Sequence, residues 1–158
     1  MGVPFFYRWL QNKGYKAVLR RNVPKYVSSL LQDTNGIIHE QAQLVYAYGN
    51  GNNPARRKLL KTADPMLIEA EFHQAISNKL LEILAQVQPQ DNYVIAIDGV
   101  APLAKIAQQR QRRFRSAMDS DNDGGFDSNA ITPGTEFMIR LDNFFQRWLV
   151  TYRNIFAH

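Results

Sequence analysis

The sequence has 158 residues with 45% hydrophobic composition, and its 19 Lys and Arg against 14 Asp and Glu give a formal net charge of +5. It contains no cysteine, which excludes disulfides and Cys-based zinc sites, fits a reducing intracellular compartment, and leaves oxygen and histidine as the ligands for any metal. No apolar run reaches membrane-spanning length and the opening residues form no signal peptide, so we expect a soluble single domain over 1–158. The positive net charge favours a polyanionic partner.

The N-terminal third of the chain predicts a short helix, a strand and a loop. The apolar and aromatic pattern over Phe5–Lys13 predicts the helix. The apolar run over Val27–Gln32 predicts a strand that delivers Asp33 at its carboxyl end, with a turn at Asn35–Gly36. The glycine- and asparagine-rich stretch over Tyr48–Pro54 predicts a flexible loop.

The middle of the chain predicts a parallel crossover unit. Apolar residues over Pro65–Val87 recur with the spacing of an amphipathic helix, which should cover a sheet face. The run over Tyr93–Ile97 is typical of a buried strand and ends on Asp98. Strand, helix and strand in this order predict two parallel strands. Since function gathers beyond the carboxyl ends of such strands, Asp33 and Asp98 are candidate site residues.

The C-terminal third predicts two helices separated by a loop. Pro102 suits the first turn of a helix that runs to about Met118. Ser120–Asn129 predicts an acidic loop, and Glu136–Phe156 predicts a final helix. The chain therefore predicts an α/β fold built on a parallel sheet.

One face of the helix after Pro102 is basic. Its polar members, within an arc of roughly 100°, are Lys105, Gln109, Arg112 and Arg113. The broadly opposite apolar face, which should dock on the sheet, contains Leu103, Ile106, Ala107, Phe114, Ala117 and Met118. A solvated helix face is the alternative for the basic side. Because the helix follows Asp98 directly, we favour a pocket for a terminal phosphate, which arginine, lysine and amide groups bind through charge-assisted hydrogen bonds.

The two aspartates are candidate ligands of a divalent cation. Carboxylates at neighbouring strand ends can bind a hard cation, and metal-assisted phosphodiester hydrolysis commonly uses two ions. Two carboxylates are too few for two ions, and nothing after Asp98 adds a convincing strand-end acid. The structural alternative for each aspartate is a turn or a helix cap.

Four segments in chain order resemble the N-terminal motifs of the Xrn family of 5'-to-3' exoribonucleases. They are MGVPFFYRWL at 1–10, DTNGIIH at 33–39, IDGVAPLAKIAQQRQRRFRSA at 97–117 and FDSNAITPGTEFM at 126–138. The resemblance spans nearly the whole chain, and the third segment is the most diagnostic. It implies an α/β nuclease core of the PIN and flap-endonuclease type, incomplete in this chain.

The resemblance also implies roles for individual residues. Asp33 and Asp98 match two acidic residues that bind magnesium, or manganese, as part of a two-ion site in the family. Lys105, Gln109, Arg112 and Arg113 match its pocket for the 5'-monophosphate of single-stranded RNA. His39 matches the residue that stacks on the first base, whereas a buried or capping histidine is the alternative from sequence alone.

The chain departs from the family pattern at several positions. Gln32 and Thr34 replace apolar residues beside the first aspartate, and Phe5 and Leu103 replace basic residues. The further acidic residues that complete the family's metal site lie downstream of this chain. Activity is therefore expected to need that downstream sequence.

Three other readings compete with an exoribonuclease. The acidic loop with Asp119, Asp121 and Asp123 imitates the first half of a calcium-binding loop, but Ala130 stands where the closing glutamate is required. A second reading is a non-catalytic module that binds RNA 5' ends. A third is a flap endonuclease acting on branched DNA, against which the DTNGIIH and QQRQRRF segments argue.

Overall fold

The computed structural model describes residues 3, 5–13, 25–103, 105–107, 109–111, 114 and 125–153. Its elements are α1 (Phe6–Asn12), β1 (Ser29–Asp33), α2 (Asn35–Val45), α3 (Pro54–Leu60), α4 (Pro65–Val87), β2 (Asn92–Ala96) and α5 (Glu136–Tyr152), with 3-10 turns at Gly49–Gly51 and Ser128–Ala130. Residues 103, 105–107, 109–111 and 114 are also helical. No helix in these ranges has the length and apolar character needed to cross a membrane.

β1 and β2 form a parallel pair, which confirms the predicted crossover. The register runs from Ser29 opposite Asn92 to Asp33 opposite Ala96. Side chains alternate between the two faces, so Leu30, Tyr93 and Ile95 pack towards the hydrophobic core. The chain is thus an α/β fold whose described sheet has two strands.

α4 is the helix that joins the two strands and supplies the centre of the core. It begins at Pro65, with the Asp64 side chain accepting a hydrogen bond from the Met66 backbone N–H, and it ends at Val87 as predicted. Its buried side chains recur at helical spacing: Phe72, Ile76, Ser77, Leu80 and Leu84. These pack in one cluster with residues of α2 and α5.

α5 closes the core from the C-terminal side. Phe137, Leu141, Phe145 and Trp148 are its buried residues. The Trp148 indole N–H donates to the buried Ser77 hydroxyl over 2.8 Å, and the Arg140 guanidinium donates to the Glu69 carboxylate over 2.7 Å. The predicted final helix is confirmed from Glu136 to Tyr152, whereas 154–156 lie outside the described residues.

The predicted turn at Asn35–Gly36 is wrong, because α2 begins at Asn35. The Ile38 backbone N–H donates to the Thr34 carbonyl over 3.0 Å, which opens the helix. Local turn preference is overridden here because Ile37 and Ile38 become buried in the core.

The predicted flexible loop over Tyr48–Pro54 is a compact turn followed by a helix. A Cβ atom on Gly51 would lie 2.2 Å from the carbonyl oxygen of Gln43, so only glycine allows this close approach. α3 follows, with the Asn53 side chain accepting from the Arg56 backbone N–H and proline in the first turn. The pair of capping asparagine and proline was the available signal for this helix.

The predicted docking of the apolar face after Pro102 on the sheet is also wrong for its described ends. Leu103 is 85% exposed and Phe114 is 66% exposed, and Ala107 is exposed as well, whereas Ile106 on the same face is partly buried. Periodicity identifies the residues that share a face but cannot show that a partner surface lies opposite. Residues 117 and 118 lie outside the described residues.

The Tyr48 hydroxyl offers a first test of this packing. It is buried without a hydrogen-bond partner among the described residues, and burial raises its pKa to about 12. Tyr48→Phe removes an unsatisfied polar group, so we expect the free energy of unfolding to stay equal or rise by up to about 1 kcal/mol. Tyr93→Phe is the matched control, because its hydroxyl donates to the Gln32 side chain, and it should cost about 1 kcal/mol. Urea denaturation of both variants decides, and destabilisation by Tyr48→Phe would contradict the described packing.

His73 predicts a pH dependence of stability. Its ring stacks on Phe144 with centroids 4.6 Å apart, and burial lowers its pKa below the usual 6.5, with Arg147 and Arg140 adding to this effect against Glu69. The unfolded chain therefore binds a proton at this imidazole more readily than the folded chain does. The contribution of neutral His73 to the free energy of unfolding is full above about pH 6.5, and it is lost as the pH falls towards the pKa of His73 in the folded chain.

We expect urea denaturation at about pH 7.5 and about pH 5.5 to show a larger loss of stability on acidification for the wild type than for His73→Phe. The phenylalanine retains a ring that can stack on Phe144 but cannot take up a proton. Equal losses in the two proteins would show that His73 does not contribute.

Candidate functional site

The two candidate carboxylates lie at one edge of the sheet. Asp33 is the last residue of β1 and pairs in register with Ala96, the last residue of β2. Asp98 follows two residues later, and both aspartates are exposed. Because the strands are parallel, both acids leave the sheet at its carboxyl end.

Asn35 connects the two aspartates, and sequence reasoning missed it. Its backbone N–H donates to the Asp33 carboxylate over 3.1 Å. Its side-chain oxygen accepts from the Asp98 backbone N–H over 3.2 Å. The available signal was an asparagine two residues after a strand-end aspartate, where such side chains commonly bond to nearby backbone.

The unusual polar residues beside Asp33 are accommodated by hydrogen bonds. Thr34 is fully buried, its backbone N–H donates to the Ala96 carbonyl over 2.9 Å, and its hydroxyl donates to the Gln32 carbonyl over 3.3 Å. The Gln32 side chain in turn accepts from the Tyr93 hydroxyl. A buried polar group that is hydrogen-bonded escapes most of its desolvation cost, so these departures leave the strand end intact.

Asp33 and Asp98 suit a hard divalent cation in part. Their exposed carboxylate oxygens are the ligand type that magnesium and manganese prefer. Within the described ranges, however, no group of three or more His, Asp or Glu side chains could hold a metal ion. The residues therefore fit a share of a metal site, and further ligands are needed to complete it.

His39 lies on α2, four residues after Asn35, and therefore on the same side of the helix. Its side chain is exposed, so the alternative of a buried histidine is wrong.

Lys105 and Gln109 belong to the helical stretch that follows Asp98. Both side chains are partly buried, and the Lys105 backbone N–H donates to the Pro102 carbonyl over 2.8 Å. Their spacing of four residues puts them on one face of a helix. Arg112 and Arg113 lie outside the described residues, as do the acidic residues at 119, 121 and 123.

The chain is similar to proteins with a shared activity. The family described as "XRN 5'-3' exonuclease N-terminus" matches residues 1–155. The chain is 36% identical to 5'-3' exoribonuclease 1 of Homo sapiens over 89% of its length. It is 33% identical to 5'-3' exoribonuclease 1 of Saccharomyces cerevisiae over 89% of its length, and 31% identical to 5'-3' exoribonuclease 2 of Candida glabrata over 94%.

The chain spans a small part of each of these relatives. It covers 8% of the human protein, 9% of the Saccharomyces cerevisiae protein and 17% of the Candida glabrata protein. The similarity thus concerns a limited region of much longer proteins.

Proposed function

The chain belongs to the XRN 5'-3' exonuclease family, and we propose that it is the N-terminal part of a 5'-to-3' exoribonuclease that acts on 5'-monophosphorylated RNA with divalent metal. The observation that carries this proposal is the joint position of Asp33 and Asp98 at the carboxyl edge of a parallel pair. A helical stretch that contains Lys105 begins at Leu103, five residues after the second aspartate. Metal ligands beside a phosphate-binding helix are the combination that hydrolysis from a phosphorylated end requires.

The fold proposed for the complete domain is a parallel-sheet nuclease core of the PIN and flap-endonuclease type. The outer face of the described sheet supports it, since Leu31 is 74% exposed and Val94 is 46% exposed. Parallel sheets are usually covered on both faces. A larger core in the longer protein would bury these side chains.

In the proposed mechanism, Asp33 and Asp98 would hold part of a magnesium or manganese site. Bound ions supply Lewis-acid activation of water and neutralise charge on the scissile phosphate, commonly as a pair. The chain itself contributes negative charge at a fixed sheet edge, and the remaining ligands are expected from the further acidic residues that the family resemblance places downstream. Catalysis by the 158 residues alone should therefore be weak.

The 5' end of the RNA is proposed to be held by four side chains. Lys105, Gln109, Arg112 and Arg113 would surround a terminal monophosphate, since lysine supplies a point charge and arginine a planar pair of donors. A closed pocket that fits a monophosphate would reject a larger 5' triphosphate or cap. His39 is proposed to stack on the first base, an interaction that any base can make.

A non-catalytic module that binds RNA 5' ends is the second candidate function. The observation that favours it is that the described residues gather only a partial set of metal ligands. Both candidates use the same phosphate pocket, so they differ in whether a longer chain completes the metal site. Membership of the XRN family argues against a flap endonuclease.

Asp98→Asn distinguishes these candidates in the full-length protein. The change removes ligand charge but not the basic helix, so RNA decay should be nearly abolished while RNA binding changes far less. Asp33→Asn should behave alike. Asp142→Asn, an exposed change on α5, is the charge-matched control and should leave both unchanged. Equal loss of binding and decay in the Asp98 variant would indicate a structural role.

Replacing Arg112 or Arg113 by alanine tests the proposed pocket. Each change should weaken binding of 5'-phosphorylated RNA by about 1.5–3 kcal/mol, the range for hydrogen bonds to charged groups. Binding of RNA with a 5' hydroxyl should weaken far less. For that RNA the change removes only longer-range electrostatic attraction, which salt screens within about 10 Å at 0.1 M. Lysine at either position should restore binding in part, since it returns the charge without the planar fork.

The measurement is a titration of both RNAs at one fixed salt concentration. Arg147→Ala on α5 removes the same charge from an exposed position and should affect the two RNAs equally and weakly. If the Arg112 and Arg113 variants also weaken binding of both RNAs equally, the helix is a surface that binds the phosphate backbone of RNA in general. Specific recognition of the 5' phosphate is then excluded.

A further inference from the structure

We infer that Asn35 is a positioning residue that holds Asp98 beside Asp33, so that the two carboxylates form a preorganised pair before metal arrives. The link itself is a matter of hydrogen bonding between described residues. Its consequence for metal binding rests on the proposed function.

The link replaces a backbone hydrogen bond that the sheet does not make at this position. In a continued parallel ladder, the Asp98 N–H would donate to the Thr34 carbonyl, because Thr34 N–H already donates to Ala96. That carbonyl instead accepts from the Ile38 N–H over 3.0 Å, as the first bond of α2. The Asn35 side-chain oxygen accepts from Asp98 in its place, over 3.2 Å.

Asn35 therefore touches both acidic positions with different parts of one residue. Its backbone N–H binds the Asp33 carboxylate, and its side chain binds the backbone of Asp98. It is also the first residue of α2, so its backbone is fixed by that helix. The Asn35 side chain thus adds a direct link between the Asp98 backbone and the segment that carries Asp33.

In the stretch after β2, Ile97 packs against the core, and the Asn35 contact holds the residue that follows it. Beyond Ala96 the described chain is exposed at Asp98, Gly99 and Val100, the last to 81%. Without the Asn35 oxygen, the Asp98 N–H would turn to water and the stretch would gain freedom. Metal binding would then have to order it, which lowers affinity. Groups that orient metal ligands typically affect affinity by about 10- to 100-fold.

Hydrogen exchange at single amides in the 158-residue chain tests the link directly. In Asn35→Ala, the Asp98 amide should exchange about tenfold faster or more, as expected for the loss of one hydrogen bond. The Thr34 amide, which donates to Ala96, should be unchanged and reports that the sheet edge is intact. Asn35→Asp keeps an acceptor oxygen and should retain protection at Asp98. Asn78→Ala, on the exposed side of α4, is the matched control.

A titration with Mn²⁺ tests the consequence in the same proteins. Paramagnetic broadening of the Asp33 and Asp98 amide signals should need about tenfold more Mn²⁺ in Asn35→Ala than in the wild type. The alanine variant should otherwise keep the wild-type spectrum.

Three results would overturn the inference. Unchanged hydrogen exchange at the Asp98 amide in Asn35→Ala would show that the Asn35 side chain does not hold Asp98. Faster exchange at both the Asp98 and the Thr34 amides would show a general loss of structure. Faster exchange with unchanged Mn²⁺ broadening would remove the positioning role. No broadening of either signal in the wild type would instead contradict the proposed metal site, while the exchange result would still decide the link.

Discussion

The parallel pairing of β1 with β2 is the constraint on which the rest of the described structure depends. Its register sets Asp33 opposite Ala96 and so brings Asp98 to the same edge. A slip of one residue would turn every side chain of one strand to the other face, moving Leu30 out of the core and Leu31 into it. Both the core and the candidate site therefore require the same pairing.

Two strands of five residues cannot sustain themselves, so the helices must stabilise the pair. α4 spans the crossover, and its buried residues meet α2 on one side and α5 on the other. The hydrogen bond between Trp148 and Ser77 fixes the depth at which α5 packs, because a buried indole N–H without a partner would be costly. Phe126 attaches the segment before α5 to the core, because its ring stacks on Tyr46 with ring centroids 4.0 Å apart.

The site combines a fixed position at the sheet edge with exposed carboxylate side chains. Two carboxylates at one edge repel each other, and here they lie in solvent, where that repulsion is modest. Exposure leaves their oxygens accessible to a cation. The backbone that carries them is held by the buried Thr34 and by the side-chain oxygen of Asn35, which accepts from the Asp98 N–H. In a longer protein of the XRN family, additional ligands would meet an edge that is already arranged.

The sequence by itself determined the elements whose signals are local or strictly periodic. α4 was predicted with its observed bounds because its apolar spacing over Pro65–Val87 is regular. Both strands were predicted within two residues, and with them the positions of Asp33 and Asp98 at strand ends. The family resemblance was also legible, because its motifs are contiguous segments.

Only the tertiary structure decided the contacts between residues far apart in the chain. α2 forms where a turn was predicted, and Leu103 and Phe114 stay exposed where docking was predicted, because burial depends on which surface lies opposite. The bond between Asn35 and Asp98 joins residues 63 positions apart, and the bond between Gln32 and Tyr93 joins residues 61 apart. No local pattern encodes such pairs, since they arise only once strand register brings the two segments together.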